Sequence, residues 1–382
     1  MKKVYLDNAA TTQLRNEVIH TMINVLKTEH GNPSSTHAYG RSSKSLLENC
    51  RKEIARLFRV QASEIIFTSG GTEADNLILQ SAVENLGIER IVTSKLEHHA
   101  VLNTIKSLQL KEGIEVAFIK HHQDSSIDIE DFETILKNSS KKTLVSLMHV
   151  NNEIGTLLPL DEVARISKRY NALFHSDMVQ SIGHFSIDFN TVLVDFAAAS
   201  AHKFHGPKGV GFAFIRKNSG LKPVQFGGGQ ERGLRAGTEA VYAVAGMTEA
   251  LKIGYQNLER EKTYILSLKE YFKNELIKNF KTVSFNALSG DLEKSSYTTI
   301  SVHLPLPENK AQLLTFQLDL RGIACSEGSA CQSGSQEGSH VLKELLSEEQ
   351  LKNPSLRFSF SIFNTKEEVD YVIETLKEFI EN

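Results

Sequence analysis

The sequence predicts an α/β protein, with a large domain built on a mostly parallel seven-stranded sheet flanked by helices and a smaller α+β domain beside it. Three observations carry this. A chain of 382 residues exceeds what one small core serves and suggests two or so packed units. Between Asn16 and Ile215, seven short apolar runs rich in β-branched and aromatic residues alternate with amphipathic stretches. After that region the order changes to a long helical pattern followed by strands and helices in mixed succession.

The runs, in order, are EIIFTS, RIVTS, EVAFIK, TLVSLMHV, ALFHSD, VDFAAAS and GVGFAFI. Helical patterns separate most of them, at Glu73 to Leu86, Val101 to Leu110 and Leu160 to Tyr170, the last with Asp161 as a first-turn acid. Such alternation builds a parallel sheet covered on both faces, in which ligands sit at the carboxyl ends of strands. One long polar helix is expected around Met247 to Phe280, and then TVSF, TTISVHL and SLRFSFS alternate with helices. The expected boundaries are 16–255 for the large domain, and 1–15 with 256–382 for the small one.

Composition excludes several classes. A formal net charge of -3 lacks the basic excess of a nucleic-acid binder, and no run approaches a membrane span, so neither partner is expected. Cys50, Cys325 and Cys331 are too few for a disulfide framework, which points to free thiols and a cytoplasmic setting. Cys50 falls in a helical pattern and reads as a packed thiol. The pairs His98-His99 and His121-His122 lack the spacing that puts ligands on one face, so no metal site is expected.

Three features suggest chemistry. Lys203, in Ser200-Ala201-His202-Lys203, ends the VDFAAAS run, and a lysine so placed can form a Schiff base. Asp177 ends the ALFHSD run, where a carboxylate can pair with a pyridinium nitrogen or simply cap a helix. Ser69-Gly70-Gly71-Thr72 lies between a strand and a helix, and it offers backbone N–H groups and a hydroxyl to an anion, or else is an ordinary turn.

Ten segments in order resemble the cysteine desulfurases of the NifS/IscS type, within the class V group of fold-type I pyridoxal-phosphate enzymes. They are YLDNAATT (5–12), HGNPSSTH (30–37), FTSGGTEADN (67–76), EHHAV (97–101), HVNNEIG (149–155), HSDMVQS (175–181), SAHKFHGPKG (200–209), GGGQERGLRAGT (227–238), GSAC (328–331) and LRFSF (356–360). The resemblance implies pyridoxal 5'-phosphate as cofactor, with Lys203 carrying it, Asp177 facing its ring nitrogen and His98 stacked on the ring. Asn152 and Gln180 would approach the ring's phenolic oxygen, while Gly71, Thr72, Ser200 and His202 would seat the phosphate. Thr238 would reach that phosphate from a second subunit, which implies a homodimer. Ala201 stands where many relatives have glycine, a change that leaves Lys203 in place.

The same resemblance names the reaction, conversion of L-cysteine to L-alanine with sulfur passed to Cys331 as a persulfide for a sulfur-acceptor protein. An iron-sulfur scaffold, tRNA thiolation and cofactor sulfuration all stay open as its use. Cys331 lies in CSEGSACQSGSQEGS, whose Gly and Ser content predicts a mobile loop. Cys325, six residues earlier, reads as a structural thiol, a backup thiol or an oxidised partner of Cys331. Glu327 close by would raise a neighbouring thiol's pKa. Arg357 is expected to hold the substrate carboxylate through two parallel hydrogen bonds, together with Asn152, or otherwise to form a surface salt bridge. The alternatives are selenocysteine lysis, another class V reaction, or a sulfur-pathway binding protein that kept the fold.

Overall fold

The structure, a computed structural model, describes residues 2–327 and 338–381. Strand β1 (Val4–Tyr5) leads to helices α1 (Asn16–Thr28) and α2 (Ala38–Leu57). The alternating region then runs β2 (Ile65–Thr68), α3 (Gly71–Leu86), β3 (Arg90–Thr93), α4 (His99–Glu112), β4 (Glu115–Phe118), α5 (Ile129–Lys137), β5 (Thr143–Ser146), α6 (Leu160–Arg169), β6 (Leu173–Asp177), β7 (Phe196–Ser200) and β8 (Gly211–Ile215). The remainder comprises α7 (Val241–Gln256), α8 (Leu258–Asn279), β9 (Ser284–Phe285), β10 (Thr299–His303), α9 (Glu308–Ala311), α10 (Leu314–Leu320), β11 (Ile323–Ala324), β12 (Ser326–Glu327), α11 (His340–Leu345), β13 (Ser355–Ser359) and α12 (Lys366–Glu381).

All seven runs expected as strands lie in one sheet, in the order β2-β8-β7-β6-β5-β3-β4. Only β8 runs against its neighbours, and the other pairs are parallel. Burial on both faces explains the nearly continuous apolar character of the inner strands, whereas β4, at the sheet edge, is partly exposed. In β7, Ala197 and Ala199 join a core with Phe58, Phe174 and Phe212, while Phe196 and Ala198 join another with Ile78 and Ile91. Small side chains there let α3 pack directly over β7 and β8.

A buried ion pair ties α2 to the sheet. Arg51 donates to both carboxylate oxygens of Glu231 at 2.7 Å and to the Ile65 carbonyl at 2.6 Å, and Glu231 also accepts from the Phe67 N–H at 2.7 Å. Arg51→Met would leave Glu231 charged and buried. The expected cost is about 3–5 kcal/mol, to be read as a lowered urea midpoint at unchanged slope.

The second core gathers around a four-stranded sheet of order β12-β13-β10-β9. Phe272, Leu276, Val302, Phe358 and Val372 fill it, and Val4 and Leu6 from the start of the chain pack into it. β1 pairs in parallel with β11. We propose the two cores as two domains, divided near residue 255. The single long helix expected from Met247 to Phe280 is instead two. Asn257, with φ -112° and ψ 8°, separates α7 from α8, and its side-chain amide donates to the Ile253 carbonyl at 2.9 Å. This local competition for a backbone acceptor ends α7. Each helix then serves a different core, with Met247 and Leu251 in the large one and Ile265, Leu268 and Phe272 in the small one.

Candidate active site

Parallel strands bring their carboxyl ends to one edge of the large sheet, and a cavity of about 170 Å³ lies there. Asp177 ends β6, and Ser200 ends β7 immediately before the tight turn Ala201–Lys203. Gly71 and Thr72 open α3, and His98 is the cap residue of α4. Asn152 and Gln180 follow β5 and β6, and Arg357 reaches in from β13 of the smaller sheet. Ten of the twelve residues expected at a site therefore line this one cavity: Gly71, Thr72, His98, Asn152, Asp177, Gln180, Ser200, His202, Lys203 and Arg357. Thr238 does not; it is exposed, three residues before α7. Cys331 lies outside the described residues.

The turn into α3 depends on glycine. Gly70 has φ 155° and ψ -175°, a conformation that side-chain-bearing residues avoid, and a Cβ on Gly71 would overlap Val179. The result is a sixteen-residue helix whose N-terminus opens directly on the cavity, a favourable seat for an anion.

Lys203 donates from Nζ to the Ala9 carbonyl at 2.6 Å and the Ala10 carbonyl at 2.9 Å. Gln180 also donates to Ala9, at 2.9 Å. Burial lifts the Asp177 carboxyl to about 6, against the opposing effects of the Val179 N–H and Lys203. His98 is held down near 4, first by burial and then by Lys203 and His340, so its ring is neutral at pH 7. Its Nδ1 accepts from the Ala100 N–H at 3.1 Å, which leaves the ring proton on Nε2. His202 is likewise lowered to about 4 by burial and by Lys203 and Lys208.

Arg357 is 2% exposed, so it is no surface salt bridge. It donates to Asp7 Oδ1 at 2.8 Å and to the Asn152 carbonyl at 2.9 Å, while its Nε is buried without a hydrogen-bond partner. Asp7, which pairs with Arg357, is one of two site residues whose local sequence pattern did not mark them out. The other is Asp75, which lines the cavity, is 1% exposed and lies 3.3 Å from His175 Nε2. Burial, then Asp177 and Glu97, push its carboxyl well above the usual range. The available signal was spacing, since Asp75 falls one helical turn after Gly71 and so on the same face of α3.

The two described cysteines are free thiols. Cys50 is buried in the large core, as expected of a packed thiol. Cys325 packs against the small core, and burial followed by Asp7 and Glu327 raises it to about 12. That value leaves almost no thiolate at neutral pH and disfavours a backup role.

Residues 4–372 match the family model described as Aminotransferase class-V. The chain belongs to this family. Class V relatives of high similarity include the cysteine desulfurase IscS of Dictyoglomus turgidum, 38% identical over 100% of this chain and 95% of the relative. The cysteine desulfurase IscS of Methanosarcina thermophila is 36% identical over 100% of this chain and 92% of its own. Among solved structures, a NifS-like protein superposes with TM-score 0.90 at 34% identity, covering 100% of both chains. The NifS-like protein from Rickettsia africae gives TM-score 0.88 at 31% identity, again over 100% of both chains.

The class V cofactor is pyridoxal 5'-phosphate, and the residues present fit it. A lysine amine suits its aldehyde, a buried carboxylate suits its ring nitrogen, and the start of α3 with Thr72, Ser200 and His202 suits its phosphate. His202 Nδ1, buried without a partner, is a ring atom that such a ligand can satisfy.

Proposed function

We propose that this class V enzyme is a cysteine desulfurase, converting L-cysteine to L-alanine and transferring the sulfur to Cys331. The observation that carries the reading is the convergence of Lys203, Asp177, His98 and Arg357 on one cavity in a chain similar over its whole length to cysteine desulfurases.

Lys203 would hold the cofactor through its Nζ, and the same amine is placed to take a proton from the substrate Cα. When bound, pyridoxal phosphate supplies an electron sink for the charge that develops on the substrate. Asp177, as a carboxylate, would keep a proton on the cofactor's ring nitrogen, and His98, as a neutral imidazole, would lie against its ring. Arg357 orients the substrate carboxylate, offering the Nε donor that now lacks a partner. The Cys331 thiolate then attacks the substrate sulfur: an S–S bond forms, the C–S bond breaks, and the carbon side takes the electron pair and afterwards a proton. One thiol and one cysteine become one persulfide and one alanine, with no external oxidant or reductant.

A homodimer is part of the same reading. It is supported by Thr238 lying exposed and away from its own cavity, and by exposed Ile19, Ile23 and Leu26 on α1 and Tyr242 on the adjoining α7. A cytoplasmic setting is supported by the free thiols of Cys50 and Cys325. Among the described residues, no helix is long and apolar enough to cross a membrane. The persulfide is passed to an acceptor protein, and an iron-sulfur scaffold is the acceptor the relatives' IscS name suggests.

The test is incubation of the cofactor-loaded protein with L-cysteine and a reductant. Alanine and sulfide are expected in near-equal amounts. Alanine-free turnover, or no sulfide, would sink the reading.

A further inference from the structure

Ser339, the cap residue of α11, and His340, its first residue, cross-brace the two loops that carry His98 and Asn152. Ser339 caps the helix by accepting from the Leu342 N–H at 3.0 Å, and its hydroxyl donates to Glu153 Oε2. Glu153 follows Asn152 in sequence and is 2% exposed. His340 Nε2 lies 2.9 Å from the Glu97 carbonyl, and its ring centroid is 4.3 Å from that of His99. Glu97 and His99 flank His98 on either side. The loops are also tied to each other, since Asn151 Nδ2 donates to the Leu96 carbonyl at 2.9 Å and Met148 N–H donates to Glu97 Oε1 at 2.8 Å.

From this geometry we propose that His340 is a positioning residue that sets the ring plane of His98 over the cofactor, with the Ser339–Glu153 bond anchoring it. The inference rests on the reading of the cavity as a pyridoxal-phosphate site. The His98 ring accepts from the Ala100 N–H at 3.1 Å, and its backbone runs between Glu97 and His99, so the orientation of this loop sets the ring plane. His340 holds that loop from both neighbours of His98 at once, through a hydrogen bond to the Glu97 carbonyl on one side and ring contact with His99 on the other. A displaced ring stacks poorly, and errors of about 1 Å in such supports reach large rate effects. His340 touches neither substrate nor cofactor in this account, since it is absent from the cavity lining.

The experiment compares the full-length wild type with His340→Ala and His340→Gln. The readouts are pyridoxal-phosphate affinity, the circular dichroism induced in the bound cofactor, and the thermal midpoint of the loaded protein. His340→Ala is expected to weaken cofactor affinity on the order of tenfold and to reshape the induced signal at a near-constant thermal midpoint. His340→Gln, which keeps a donor for the Glu97 carbonyl, is expected to restore part of both. Wild-type affinity and signal in His340→Ala would overturn the inference, as would losses that merely track a falling thermal midpoint. Should His340→Ala not fold, Ser339→Ala is read by the same signals; a shift in the same direction supports the brace, and an unchanged spectrum overturns it. If the wild type itself acquires no cofactor band, the proposed function fails first; a normal wild type with an unaltered variant sinks the brace alone.

Discussion

Lys203→Ala is expected to lower turnover of L-cysteine by at least about 10³-fold and to remove the Schiff-base absorbance band while leaving the fold intact. The lysine sits on a tight turn at the end of β7, and its amine is held over the cavity by two backbone carbonyls, those of Ala9 and Ala10. Among the described residues, Lys203 is the only lysine lining the cavity. Those carbonyls belong to the start of the chain, which packs beside the small core, so the amine is positioned by residues nearly two hundred apart in sequence. Unchanged thermal unfolding with a lost absorbance band is the expected pair of measurements. Turnover within tenfold of wild type would remove Lys203 from the mechanism.

Cys331→Ser is expected to abolish persulfide and sulfide formation while preserving cofactor binding and exchange of the substrate Cα proton with deuterated solvent. These early steps need only Lys203, Asp177, His98 and Arg357. Cys325 is a poor substitute: burial, then Asp7 and Glu327, push its thiol up to about 12, which disfavours the thiolate at neutral pH, and it packs against the small core. The check is mass spectrometry for a persulfide adduct together with proton exchange by NMR. Full sulfide production by the variant would show that the sulfur leaves by another route. An adduct on Cys325 in the variant would instead assign that thiol the role that its burial argues against.

The large sheet was legible because its strands, edge strand β4 apart, are buried on both faces, and such strands announce themselves as apolar runs. β7 shows why: all five of its residues are buried, and the first four, Phe196 to Ala199, are uninterrupted apolar residues. The break at Asn257 was not legible, because both α7 and α8 continue a helical pattern and only their separate cores require a change of direction. Two-residue strands such as β1, β11 and β12 carry no periodicity at all, and they exist only through their partners.

At the cavity the same division appears. Lys203, Asp177 and the Gly70-Gly71 turn could be named from sequence, since each sits at or just after the end of a strand and carries its own chemistry, while His98 came from the family resemblance. That Arg357 is buried against Asp7, that Asp75 lines the cavity beside Asp177, and that His340 leans on both neighbours of His98 could not. These are contacts between segments far apart in the chain, and a local pattern holds no record of distance. The sequence by itself determined which chemistry the chain carries and that a parallel sheet would present it. Only the tertiary structure decided which charges share one desolvated space, because burial, and with it the protonation of Asp75, Asp177 and His98, is a property of the packed whole.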